Sequence, residues 1–124
     1  MKIVLNKCYG GFRLSEEAYE WLIKNKNWEV TSYQGNGYKN PNAKLVRNPE
    51  YKKGSDFHHK YYAVIPEDSI RISQDVIECI ETLGDKASSR LSKLKIVDIP
   101  DDAEWVIDEY DGIESVHQKH EVWG

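Results

Sequence analysis

Two segments of the chain have the hydrophobic spacing of amphipathic helices, with apolar residues three or four positions apart. The first helix is expected to begin after Ser15, a favourable N-cap, and the second to run from the N-cap Ser73 to Gly84. The first apolar stripe is Ala18, Tyr19, Leu22 and Ile23, and the second is Val76, Ile77, Ile80 and Leu83. Residues 85–94 are a candidate for another, shorter helix. The spacing therefore predicts two or three helices.

Short runs of β-forming residues surround these helices. They are residues 2–6, 29–33, 60–65, 94–99, 104–109 and 113–118. The last two runs predict a hairpin, because the Asp111-Gly112 pair between them is a strong signal for a tight turn. Strands at both ends with helices between them predict a small α+β fold with a mostly antiparallel sheet.

Residues 25–61 form a long stretch without clear helical spacing, rich in Asn, Gly, Lys and Tyr and containing Pro41 and Pro49. Ordinary connections have about 4–6 residues, so a stretch of this length is unusual in a small domain. We expect it to be functional, to serve assembly, or to be partly disordered.

Length and composition indicate one polar globular domain covering residues 1–124. Hydrophobic residues make up 40% of the chain and charged residues 31%, with a mean hydropathy of −0.70. The net charge of −4 argues against histone-like binding of nucleic acid and against a polybasic membrane anchor. No apolar run approaches the roughly 18 residues that a spanning helix needs, and a cytoplasmic location is expected.

Charge is distributed unevenly along the chain. Residues 39–60 carry six Lys and Arg residues against two acidic ones, a net charge of +4. Residues 98–124 carry nine acidic residues against one Lys, a net charge of −8. Three interpretations remain open: complementary surfaces for self-assembly, contact of the basic segment with a small anion, or two ordinary solvated surfaces.

The Gly10-Gly11 turn lies between a predicted strand and a capped helix, where backbone N–H groups can hold a phosphate. The flanking Tyr9 and Phe12 offer faces on which a base can stack. A plain turn with the aromatic rings packed in the core is the alternative. The Gly pair lacks the spacing of a Rossmann or P-loop fingerprint.

Arginine is a second candidate for phosphate recognition, because its planar guanidinium matches phosphate oxygens. The chain has Arg13, Arg47, Arg71 and Arg90, of which Arg13 and Arg71 precede the predicted helices. We expect Arg71 to be an accessible ligand contact that can be removed without loss of the fold. Surface pairing with carboxylates is the alternative for any one of them.

Metal binding and catalysis are not expected. His58 and His59 are adjacent, and His117 and His120 are an odd number of residues apart, so each pair points to opposite sides of an extended chain. No nucleophile and base pair or recognisable metal loop can be assembled from the sequence, and no cofactor is expected. Cys8, on the first predicted strand, and Cys79 are both expected to be reduced and buried.

Several blocks of the sequence resemble a family of small phage proteins, the Thoeris anti-defence sponges. The blocks are residues 6–12 (Asn-Lys-Cys-Tyr-Gly-Gly-Phe) with Leu14-Ser15, residues 94–102, and residues 109–112 (Glu-Tyr-Asp-Gly) with His120 and Trp123. The resemblance covers both ends and the central helix but not the basic middle. Ser88-Ser89 stands where the family has Asn-Gly, and Glu121 stands where it tends to have Arg.

The resemblance implies a protein that binds a messenger without catalysing a reaction. The implied ligand is a glycocyclic ADP-ribose isomer made by a TIR-domain enzyme of the bacterial host, or a cyclic oligonucleotide, and the implied assembly is a dimer or hexamer in the infected cell. The candidate ligand-binding residues are Cys8, Tyr9, Gly10, Gly11, Phe12, Arg13, Arg71, Ser88, Arg90 and Asp111. The alternative is a small phage protein that binds another protein or has a structural role, without a nucleotide ligand.

Overall fold

Helices and short strands combine in a small α+β fold with several mostly antiparallel sheets. The computed structural model describes residues 1–35, 37–51 and 59–118. The helices are α1 (Glu16–Lys26), α2 (Glu67–Arg71) and α3 (Gln74–Leu83), and a 3₁₀ turn (Gly84–Ala87) follows α3. The strands are β1 (Lys2–Asn6), β2 (Val30–Thr31), β3 (Tyr33–Gln34), β4 (Gly37–Tyr38), β5 (Leu45–Arg47), β6 (Tyr61–Ala63), β7 (Leu94–Asp98), β8 (Trp105–Tyr110) and β9 (Ile113–Gln118).

Both long helices begin at their predicted N-caps, and α3 ends at Gly84 as expected. Ser15 Oγ accepts a hydrogen bond from the Ala18 amide at 3.0 Å, and Ser73 caps α3 in the same way through the Val76 amide. The short helix proposed for residues 85–94 is wrong, because helical geometry ends with the 3₁₀ turn and Leu94 already belongs to β7. Helix α2 was missed, since five residues are too few to show a helical period.

Strands from the two ends of the chain meet in the fold. β1 pairs antiparallel with β7, so that Val4 faces Ile96 across the pair. β8 and β9 form the predicted hairpin, and its turn residues Asp111 and Gly112 have φ values of 53° and 85°. An isolated bridge between Lys7 and Ile113 brings this hairpin against the end of β1.

The stretch of residues 25–61 contains more regular structure than its sequence indicates. β2 runs parallel to β5, and β5 pairs antiparallel with β6 in a three-stranded sheet. β3 and β4 form a small hairpin of their own. Strands of two or three residues leave almost no periodic signal, which is why the sequence predicted β2 and β6 within longer runs but missed β4, β5 and the end of β3.

The hydrophobic core lies between the two long helices and the β1–β7 pair. Its central members include Val4, Leu14, Ala18, Leu22, Leu45, Val76, Ile77, Cys79 and Ile80. Burial of the Cys79 thiol raises its pKa to about 12, so this thiol stays protonated at neutral pH. Cys8 corrects the sequence prediction, because it follows β1 instead of belonging to it and is half-buried.

A buried ion pair connects helix α2 with strand β9. Arg71 Nη1 and Nη2 donate to Glu114 Oε1 and Oε2, each at 2.7 Å, and the Arg71 side chain is only 2% exposed. Arg71 Nη1 also donates to the Val4 carbonyl at 3.0 Å, and Nη2 reaches Glu67 at 3.2 Å. Burial disfavours the charge, but the bonds and charge of the two glutamates outweigh it and raise the pKa of Arg71. The guanidinium is therefore held within the protein.

We expect the Arg71→Met variant to lose about 3–5 kcal/mol of unfolding free energy, because it leaves the Glu114 carboxylate buried and unpaired. This replaces the expectation that Arg71 can be removed without loss of the fold. Urea denaturation measures the effect. Lys2→Met is the control, since Lys2 forms an exposed ion pair with Glu81 and its loss should cost no more than about 1 kcal/mol. Equal stability of the two variants would contradict the structural role of Arg71.

Candidate functional site

Three segments that are distant in sequence meet at one end of the fold. They are the glycine loop (residues 8–13), the serine segment (residues 88–92) and the hairpin turn (Asp111-Gly112). Ser92 Oγ donates to the Arg13 carbonyl at 2.7 Å, and Leu14 forms an isolated bridge with Ser88. The structure thus places most of the candidate ligand-binding residues next to one another.

A buried asparagine at the end of β1 holds this arrangement together. Asn6 Nδ2 donates to the carbonyls of Cys8 at 2.6 Å and Gly112 at 2.7 Å, and Asn6 Oδ1 accepts from the Lys93 amide at 2.9 Å. One fully buried amide group therefore contacts the glycine loop, the hairpin turn and the end of the serine segment. Sequence reasoning missed its role, because a strand-ending Asn gives no signal of its distant partners.

Two glycines permit the close approach of these segments. A Cβ atom on Gly10 would lie 2.0 Å from the Leu91 carbonyl oxygen, and one on Gly112 would lie 2.3 Å from that of Tyr9. Neither neighbour is a flexible side-chain end, so any larger residue would displace backbone. The glycine of the predicted phosphate loop thus has a packing role here.

The candidate residues differ widely in exposure. Tyr9 is 78% exposed, and Arg90 and Asp111 also lie at the surface. Ser88 is half-buried, and its Oγ accepts from the Leu94 amide at 2.9 Å. Phe12 is half-buried, and its ring centroid lies 4.1 Å from the guanidinium carbon of Arg71. Arg71 is thus buried against the Phe12 ring of the glycine loop. Tyr9, Arg90 and Asp111 are candidate residues that lie at the protein surface here.

A cleft of about 260 Å³ opens beside the glycine loop. It is lined by Phe12, Arg13, Tyr19, Tyr62, Ala63, Ile65, Glu67 and Ile70. Burial raises the pKa of the Tyr19 phenol, and the positive charge of Arg13 partly offsets this rise. The Arg13 side chain forms no ion pair with the residues that the structure describes. The cleft thus combines aromatic faces, an uncommitted cation and a carboxylate.

A second cleft of about 390 Å³ is lined by Arg71 itself and has a different character. Its lining includes the carboxylates of Glu67, Asp68, Glu109 and Glu114 together with Trp105. The buried Arg71 Nε has no hydrogen-bond partner among the described residues. Four acids around one committed arginine make this cleft unfavourable for an anion.

Two of the four histidines, His59 and His117, lie among the described residues. His117 Nε2 lies 3.2 Å from Asp108 Oδ2 and 3.1 Å from Ser115 Oγ, whereas His58 and His120 lie outside the described residues. Within residues 1–35, 37–51 and 59–118, no three His, Cys, Asp or Glu side chains form a group that could hold a metal. In the same ranges, no helix is long and apolar enough to cross a membrane.

Comparison of the chain with protein-family models, with curated proteins and with solved structures finds no match.

We expect Gly10→Ala to lower the unfolding free energy by about 1–3 kcal/mol and to shift the amide resonances of the glycine loop and of Leu91, because the added methyl group overlaps the Leu91 backbone. Thermal denaturation and amide NMR spectra measure the two effects. Gly37→Ala is the matched control, since a Cβ there meets no atom within 4 Å. If both substitutions left stability and spectra alike, the close contact between the loop and the serine segment would be refuted.

Proposed function

We propose that this chain binds a cyclic nucleotide immune messenger and holds it unchanged, so that the messenger does not activate its effector. The proposed ligand is a glycocyclic ADP-ribose isomer from a TIR-domain enzyme, or a cyclic oligonucleotide, in the cytoplasm of an infected bacterium. The resemblance to the Thoeris anti-defence sponges suggests this ligand. The proposed role needs no catalytic group.

The observation that carries the proposal is the cleft beside the glycine loop. Phe12 and Tyr62 offer faces for an adenine ring, and Arg13 offers a charge for the pyrophosphate. Glu67 can accept hydrogen bonds from ribose hydroxyl groups, although it also pairs with Arg71. These are the three kinds of group that a doubly charged adenine nucleotide needs.

Size argues for a cleft that is completed by a second subunit. Binding sites for small molecules commonly occupy about 300–1,000 Å³, and this cleft has about 260 Å³. One subunit therefore covers only part of a dinucleotide. Exposed apolar side chains surround the glycine loop and offer an interface: Tyr9, Leu91, Tyr110 and Ile113.

We expect the Arg13→Gln variant to bind a cyclic ADP-ribose isomer roughly tenfold or more weakly, since a hydrogen bond to a charged group contributes about 1.5–3 kcal/mol. Calorimetry with a panel of cyclic ADP-ribose isomers and cyclic oligonucleotides measures the affinities. The fold should be unchanged, because the Arg13 side chain has no ion pair in the described structure. Lys24→Gln is the control, since Lys24 is exposed on α1 away from this cleft.

Two outcomes would count against the proposed function. Absence of heat with every nucleotide in the panel would favour a small protein-binding or structural phage protein. Release of a hydrolysed product after incubation and denaturation would indicate a phosphodiesterase instead of a protein that stores its ligand.

We also propose that the subunits form a homo-oligomer through the apolar rim of the glycine loop. Tyr110→Ser should lower the mass measured by light scattering, because Tyr110 is 80% exposed in the isolated subunit. Ile72→Ser, at an exposed apolar position outside the glycine loop, the serine segment and the hairpin turn, is the control.

High salt should also lower the mass of the wild-type assembly if the acidic hairpin of one subunit meets the basic segment of a neighbour. A monomeric wild-type protein would exclude the assembly.

A further inference from the structure

The basic middle of the chain takes no part in the glycine-loop site, yet two of its cations lie together in another cleft. This cleft of about 570 Å³ is lined by Val30, Thr31, Ser32, Lys39, Asn40 and Arg47. It opens where β2 and β5 end, and these strands run parallel. The cleft therefore lies at the carboxyl ends of these two short strands, with Ser32, Lys39 and Arg47 in its lining.

The local pairing brings the two cations to either side of Ser32. Thr31 lies opposite Val46 in the parallel pair. Ser32 follows Thr31 and Arg47 follows Val46, so these two residues come next to each other. The Lys39 amide donates to the Ser32 carbonyl at 2.9 Å, which holds the lysine on the other side. The cleft thus has a serine between an arginine and a lysine.

The positive charge of this cleft is not neutralised from within. Its lining includes no acidic residue, and neither Lys39 nor Arg47 forms an ion pair in the part of the chain that the structure describes. The nearby Glu29 carboxylate accepts a hydrogen bond from Asn40 Nδ2. In contrast, the cleft that Arg71 lines includes four carboxylates. The Lys39–Arg47 cleft is therefore suited to an anion.

One wall of the cleft is held by hydrogen bonds that do not involve the cations. Thr31 Oγ1 accepts from the Asn40 amide at 2.7 Å, and Asn40 Oδ1 accepts from the Asn42 amide at 3.0 Å. These bonds fix the chain that follows Lys39 against β2. When an anion binds, the Lys39 and Arg47 side chains therefore have to be ordered, whereas the backbone of this wall is already held in place.

We propose that the Lys39–Arg47 cleft is a second binding site, for the phosphate group of a small molecule. Arg47 offers a planar fork of N–H donors to the phosphate oxygens, Lys39 offers a compact positive charge, and the Ser32 hydroxyl is a further donor. The volume exceeds that of a phosphate alone, which leaves room for the group that carries it. The site stands independently of the glycine-loop function.

Pyrophosphate is the probe that tests this site. Titrated into the full-length protein at low ionic strength, it should shift the amide resonances of Ser32, Lys39 and Arg47. The Lys39→Gln, Arg47→Gln double variant should bind it at least tenfold more weakly, on the order expected for two charge-assisted contacts. The Lys86→Gln, Lys95→Gln variant has the same change in net charge at two exposed positions outside this cleft and should bind like the wild type.

The outcomes separate this site from a general effect of charge and from the glycine-loop site. Equal weakening in both double variants, or no shift at the three amides, would overturn the proposal. Shifts confined to the glycine loop would assign the phosphate to that site and would overturn the second one. Retained pyrophosphate binding in Arg13→Gln supports two independent sites, since this variant affects only the first cleft. Much tighter binding of a short single-stranded oligonucleotide than of pyrophosphate would reject a small-molecule ligand.

Discussion

The ion pair between Arg71 and Glu114 is the interaction on which the arrangement of the chain ends depends. Arg71 ends helix α2, Glu114 lies on the C-terminal hairpin, and the carbonyl of Val4 on β1 accepts a further hydrogen bond from the same guanidinium. Glu114 in turn accepts from the Asn6 amide at 2.7 Å. Two buried charges are tolerated when they pair closely and make further hydrogen bonds, and here the bonds of the two Nη atoms and of the Glu114 carboxylate connect three elements.

The glycine loop is built on this pair. Phe12 packs its ring on the Arg71 guanidinium, and Asn6, immediately before the loop region, joins the loop to the hairpin turn. The surface of the loop is consequently supported by buried, hydrogen-bonded polar groups. Support of this kind reduces the ordering that binding at the loop would require.

The uneven charge of the sequence has a spatial counterpart. The acidic hairpin supplies the glutamate that Arg71 needs and contributes to a cleft that repels anions. Lys39 and Arg47 remain without acidic partners in the described structure and face a cleft of their own. A modest net charge of −4 therefore coexists with separate acidic and basic surfaces.

Local features of the sequence were sufficient to predict the two long helices, strands β1 and β7, and the C-terminal hairpin. Ser15 and Ser73 act as caps within their own turns, and the Asp111-Gly112 turn depends on two adjacent residues. Such signals lie within a few positions of one another, so that they can be recognised without knowing the fold. The strands of two or three residues and helix α2 are too short to have a period.

The sequence by itself determined which residues cap, turn and form apolar stripes. It indicated the Gly10-Gly11 turn and the arginines, Arg71 foremost, as candidates for anion binding, and the family resemblance added the hairpin turn. Only the tertiary structure decided that Arg71 is buried, that Asn6 joins the loop to the turn, and that Lys39 and Arg47 share a cleft. The reason is physical: burial and the pairing of charges depend on partners far away in the chain. Arg71 and Glu114 are separated by 43 positions, and Asn6 and Gly112 by 106, beyond the reach of any local pattern.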